Sequence, residues 1–168
     1  LTFVLGTSEF VIVGILTDIS SSLNMTNAKT GTLVSAFAIT FAIATPLVMS
    51  VTSHLPKRKW MLFLMASFII LNALCIISTS YIMLLTLRIM TAIVTGVLIS
   101  LAMIVASETI PIKKRGLAIS FVFGGFTLAN VVGVPIGIVI AEDYGWNATF
   151  MLTTFLGGLA FLASFFVL

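Results

Sequence analysis

The sequence predicts an all-α integral membrane protein, a bundle of six transmembrane helices. Three observations carry that prediction. Of 168 residues, 60% are hydrophobic and 8% charged, whereas a soluble domain carries roughly 25% charged residues. Six apolar segments, each long enough to cross about 30 Å of hydrocarbon at about 1.5 Å per residue, are divided by short polar stretches. None alternates with the period of two that marks a barrel strand. Five acids and eight bases cannot cover a globule facing water. A soluble enzyme, a nucleic-acid binder and a secreted disulfide scaffold are therefore excluded, despite a pI near 9.4.

The first segment covers about residues 1–20 and closes at SSLNMTNAK. The second covers about 28–52 and closes at SHLPKRK, and the third covers about 60–77, breaking at STSY. The fourth runs over about 81–107 to ETIPIKKR, the fifth over about 116–141 to EDYGWN, and the sixth over about 148–168. No basic leader or small-residue cleavage site marks residues 1–16 as a signal peptide. Both apolar ends read as cuts in a longer protein. Cys75 has no second cysteine to pair with, and a single histidine with a single cysteine far apart makes neither a metal centre nor a nucleophile–base pair. No cofactor and no enzyme are expected.

Orientation follows from the bases. Lys57, Arg58 and Lys59 follow the second segment, and Lys113, Lys114 and Arg115 follow the fourth. Two crossings separate these loops, so they share one side of the membrane. The loops after the first, third and fifth segments carry Lys29 among them, with Glu142 and Asp143 in the last. The positive-inside rule places the basic loops, and both ends of the chain, in the cytoplasm. His54, beside the first basic loop, is either a pH sensor or an interfacial bystander.

Two charged residues, Glu9 and Arg88, lie deep inside the apolar segments, and every other charge is in or beside a loop. Each costs a few kcal/mol at mid-bilayer unless it is paired and faces the bundle interior or water. Glu9 lies roughly 16 Å of helix from Ser20, and Arg88 roughly 12 Å from Ser80, both on the outer side. A shared polar cavity near the midplane is the expectation. One reading is a structural ion pair joining the first and fourth helices, and the other is a functional pair. A carboxylate subject to both burial and a guanidinium can gain and lose a proton, which an arginine cannot. Glu9 then carries the proton, and Arg88 tunes it or anchors substrate. Phe10, next to Glu9, is placed near the cavity. Asn72 and Asn130 are expected to bond between helices or to meet substrate.

The stretch TSEFVIVGIL (Thr7 to Leu16), followed by Asp18, resembles the first helix of drug/proton antiporter-type members of the major facilitator superfamily. Arg88 and Gly96 resemble the superfamily's arginine-bearing fourth-helix motif. GGFTLANVVGVPIG (Gly124 to Gly137) is similar to its glycine–proline antiporter motif, and GWNATF (Gly145 to Phe150) to its GWRxTF entry into the sixth helix. The branch resembled holds arabinose-inducible permeases and sugar and purine-nucleoside efflux transporters. The resemblance covers essentially the whole chain. It implies the amino-terminal half of a twelve-helix fold, built as 3+3 inverted repeats, with the second half absent from this chain. It also implies small-molecule substrates and protons as partners, besides the bilayer.

Departures are visible. The family's loop between the second and third helices usually reads G-x-x-x-D-R-x-G-R-R/K. Here Met49, Ser53 and Pro56 replace its glycines and acid, while Lys57 and Arg58 remain. Thr17 stands where relatives tend to have proline, which should leave the end of the first helix straighter. Gly125, Gly133 and Gly137 should admit a close neighbour, and Pro135 should favour a bend; together they read as a gating and packing motif. The expected function is proton-coupled efflux of sugars, nucleosides or drug-like molecules by alternating access across a bacterial inner membrane. The alternatives are a half-size transporter working as a dimer, or a structural or assembly subunit.

Overall fold

Residues 1–167 are described in a computed structural model, in which every regular element is helical. The first segment forms α1 (Thr2–Gly14) and α2 (Leu16–Ser22). The second is α3 (Asn27–Thr52), the third α4 (Lys57–Ile76) and the fourth α5 (Tyr81–Thr109). A 3₁₀ turn (Ile112–Lys114) leads into the fifth, built from α6 (Arg115–Leu128), a π turn (Ala129–Gly133) and α7 (Val134–Tyr144). Gly145, with φ at +86°, ends α7. The sixth is α8 (Trp146–Val167); its expected last residue, Leu168, lies outside the described residues. Five helices are long and apolar enough to cross a membrane, and six spans result if α1 and α2 count as one.

The straight first helix expected from Thr17 is not formed. α1 and α2 meet at 62°, and no proline is involved. Ile15 sits between them with φ −106° and ψ 13°, just after Gly14, whose missing Cβ eases the departure from the helix. The bend brings Ile15 and Ile19 into full burial, packed with Leu33, Leu84, Trp146 and Phe150. Burial of two isoleucines decides the path where proline was sought.

The basic residues also differ in placement. Lys57, Arg58 and Lys59 form the first turn of α4 instead of a loop. Lys113 and Lys114 lie in the 3₁₀ turn, and Arg115 opens α6. Cations at a helix N-terminus oppose its macrodipole, at a few tenths of a kcal/mol each. The charges stand at the bundle's end all the same, so their sidedness outweighs that local cost. Lys57 pairs with Glu108 at the end of α5, while His54, Arg58 and Lys59 are exposed. The pair is open to solvent, with side chains 41% and 54% exposed. Such pairs contribute about 0–1 kcal/mol. Lys57→Ala should therefore leave the thermal unfolding midpoint almost unmoved in scanning fluorimetry, with a smaller shift still at high salt.

The interior is layered by depth. Toward the basic end lies an apolar cluster including Leu5, Met65, Phe68, Val97 and Leu98. Toward the acidic end lies the second cluster, around Ile12, Ile15, Leu84 and Phe150. Between them runs a buried polar belt containing Ser8, Asn72, Arg88, Thr91, Thr95 and Thr153. Large apolar side chains such as Ile82, Phe121 and Val131 face outward, as the surface of a membrane bundle requires.

Candidate functional site

Arg88, Thr91 and Thr95 recur at helical spacing on one face of α5, and all three are buried. α1 offers Ser8 and Glu9 to that face. The Arg88 guanidinium donates through Nη1 to the Ser8 carbonyl at 2.9 Å and through Nη2 to the Glu9 carbonyl at 3.4 Å. Its Cζ stands 4.4 Å from the centre of the Phe37 ring, a cation–π contact. The structural ion pair that one of the two readings placed between Glu9 and Arg88 is not formed. Among the described residues, the salt bridge within reach is Lys57–Glu108. Backbone carbonyls retain a second lone pair after accepting a helical amide, and those of α1 supply the guanidinium's partners. Arg88 still joins the first and fourth spans, by charge-assisted bonds to main chain.

The Glu9 carboxylate is left facing space. Its Oε2 is buried and without a hydrogen-bond partner, as is Arg88 Nε. Glu9 lines two cavities at once. The smaller, about 170 Å³, also touches Phe10, Val13, Val34, Phe37, Ala38 and Arg88. The larger, about 330 Å³, extends toward the basic end between Phe41, Thr45, Gly96, Ser100, Met103 and Phe126. The shared pocket expected from the sequence is thus two cavities with the carboxylate between them. Their walls are mainly apolar, where a watery space was expected. Phe10 lies in the smaller one, with its ring edge-on to Phe126 at 5.3 Å.

The glycine motif faces α1. A Cβ on Gly125 would come within 2.6 Å of Thr2 Oγ1, and one on Gly6 within 2.8 Å of the Ala129 Cβ. Gly133 takes the side chain of Thr7, and Gly137 that of Val11. These four positions recur every four residues, whereas an α-helix turns every 3.6. Three such steps overshoot by about 1.2 residues, and the roughly one extra residue of a π turn absorbs that drift. The π turn at Ala129–Gly133 therefore keeps the small residues aligned on α1. Pro135 is exposed on the opposite face, two residues beyond the π turn, which accommodates its missing amide. Asn130 is exposed in the π turn and lines neither cavity. No hydrogen bond from its side chain occurs among the described residues, so the interhelical bond expected of it is not made.

Asn72 does bond between helices. Its Oδ1 accepts from Ser8 Oγ at 3.0 Å and from Thr153 Oγ1 at 3.3 Å, and its Nδ2 donates to the Phe68 carbonyl at 2.9 Å. Sequence reasoning missed Ser8, Thr153, Phe37 and Phe126. A hydroxyl inside an apolar run carries no signal of its own, and fourteen phenylalanines hide the few that line a cavity.

Comparison with known proteins agrees with this architecture. The family model described as Major Facilitator Superfamily matches residues 1–168. The uncharacterized MFS-type transporter YbcL of Bacillus subtilis is 35% identical over 99% of this chain and 43% of its own length. The inner membrane transport protein YdhP of Escherichia coli K12 is 34% identical over 99% of this chain and 43% of its own. The chloramphenicol resistance protein of Streptomyces lividans is 34% identical over 87% of this chain and 37% of its own. The chain thus spans about two-fifths of the length of these relatives. With apolar spans, a buried arginine on the fourth of them and a glycine groove on the fifth, it belongs to the Major Facilitator Superfamily of multi-pass membrane transport proteins and is not an enzyme.

Proposed function

We propose that the chain is the amino-terminal half of a proton-coupled exporter of small organic molecules, working by alternating access. It sits in a bacterial inner membrane with its basic end in the cytoplasm. The observation that carries the reading is the position of Glu9, a half-buried carboxylate between two cavities whose Oε2 is buried and unpartnered. An acid so placed has no structural bond to lose when it takes up a proton. Arg88, anchored on α1 main chain, holds a fixed positive charge beside it. The larger cavity is walled by α1, α3, α5 and α6, and a carboxy-terminal half would close its open flank. Phe41, Phe123 and Phe126 with Thr45 and Ser100 suit a mainly apolar molecule with a few polar groups, and a chloramphenicol resistance protein among the relatives supports a drug-like cargo.

The test is transport by the full-length protein in proteoliposomes, with chloramphenicol, a pentose and a purine nucleoside as probes. Glu9→Gln keeps the shape of the side chain and removes its exchangeable charge. Flux driven by a pH gradient should fall to that of empty vesicles, while counterflow of the accepted probe persists. Undiminished gradient-driven flux would remove Glu9 from the mechanism.

A further inference from the structure

We infer that Asn72 is a positioning residue for Glu9, acting through Ser8 across the gap between α4 and α1. The inference rests on the proposed role of Glu9 as proton carrier. α4 packs on α5 and α8, yet the fully buried Asn72 amide reaches α1 through Ser8 Oγ at 3.0 Å. The same oxygen also takes Thr153 of α8, and the amide nitrogen is tied to the Phe68 carbonyl of its own helix. Asn72 is therefore held on its own side and cannot swing with α1.

Ser8 is gripped a second time, since its carbonyl receives Arg88 Nη1 from α5. The other close contact of α1 at this depth, Thr7 against Gly133, fixes how near α6 and α7 lie. Thr7 and Val11, seated at Gly133 and Gly137, hold α1 close and leave it only small rotations about its own axis. The Ser8–Asn72 bond is directional and sets that rotation. Glu9 follows at about 100° around the helix, so the bond decides how the carboxylate divides itself between the two cavities and how it faces Arg88.

The charged surroundings of Glu9 are few. Arg88 on α5 lines the smaller cavity with it, and the Cys75 thiol of α4 is buried within electrostatic reach of Arg88. α1 itself, α3, α6, α7 and α8 bring no other titratable side chain to that depth among the described residues. Asp18 of α2, Lys29 of α3, and Glu142 and Asp143 of α7 stand at the acidic end. A change in the titration of Glu9 therefore reports its geometry toward Arg88 and the cavities.

The experiment is an infrared pH titration of the full-length protein in lipid nanodiscs, following the protonated-carboxyl band that Glu9→Gln abolishes. Asn72→Leu strands no buried donor, because the Ser8 hydroxyl can turn to the carbonyl four residues back and Thr153 keeps the Phe150 carbonyl at 3.1 Å. It is expected to fold and to move the Glu9 midpoint by at least about half a pH unit. Ser8→Ala should move it equally, and the exchange Ser8→Asn with Asn72→Ser should bring it back. A residue serving as interhelical glue alone would lower the unfolding temperature and leave the midpoint where it was. An unmoved midpoint in folded Asn72→Leu, or in Ser8→Ala should the first variant fail to fold, overturns the positioning role and spares the role of Glu9. A wild-type protein with no titrating Glu9 band overturns both.

Discussion

Arg88→Ala is expected to abolish transport in both modes, gradient-driven flux and counterflow, and to lower the unfolding temperature. The side chain is 1% exposed and fills the space between α1 and Phe37. Its removal opens a void beside Glu9 and releases the Ser8 and Glu9 carbonyls from the clamp. It also takes away the positive charge facing Glu9. Truncating a long side chain this fully buried costs about 2–5 kcal/mol, a loss on the order of 10²-fold in the population of the competent state, and the half-buried Glu9 is left without the cation beside it. The double variant Glu9→Gln with Arg88→Ala should therefore melt at a higher temperature than Arg88→Ala alone. Arg88→Lys should recover stability better than flux. An ammonium keeps the charge but neither forks to two carbonyls nor lies flat on a ring. Flux assays and scanning fluorimetry on the three variants check each of these statements. Undiminished counterflow in Arg88→Ala would show that the clamp on α1 is dispensable.

Gly133→Val should be the most damaging change in the packing. A Cβ at Gly133 would overlap Thr7, and Thr7 has no slack: it is fully buried, and its Oγ1 donates to the Phe3 carbonyl at 2.8 Å. The Thr7 Cβ and Cγ2 would also be met, at 3.1 and 3.2 Å. α1 has to move off α7, and overpacking of this kind costs about 1–3 kcal/mol or more. In a bilayer the loss is not offset by hydrophobic attraction between helices, because lipid tails are as apolar as the separated faces. Folded yield in membranes should fall severalfold, with a milder effect for Gly133→Ala. Thr7→Ala should rescue Gly133→Ala by making room. Gly124, where an added Cβ meets nothing within 4 Å, is the control: Gly124→Ala should be neutral or stabilising by up to about 1 kcal/mol. Equal behaviour of the two glycine sites would contradict the groove.

The long helices were legible because their apolar lengths stand out and their ends are marked by polar, glycine and proline residues. The second span, expected over about 28–52, forms Asn27–Thr52 with Thr26 as its cap. The third starts earlier than expected, at Lys57, since a hydropathy reading discards basic residues that a helix accepts readily. Glu9 and Arg88 stood out as charges without a loop, and the structure brings them to one depth. Their mode of contact could not be read. Carbonyl acceptors belong to every residue and leave no trace in side-chain identities. The bend at Ile15 was missed for a related reason: proline announces a kink in sequence, whereas two isoleucines seeking burial do not. The exposure of Asn130 depends on the phase of a π turn, which the 3.6-residue period cannot supply.

The register of α1 against the fifth span has an electrical consequence. With Thr7 at Gly133 and Val11 at Gly137, Glu9 stands level with Pro135. By the rise of the helix, that is about 10 Å from Glu142 at one end and about 30 Å from Arg115 at the other. A resting potential of about 100 mV acts on a transferred charge with about 2.3 kcal/mol across the whole thickness. The division of length is uneven, and the longer stretch of helix over which such a charge would move lies between Glu9 and the lysine-rich end.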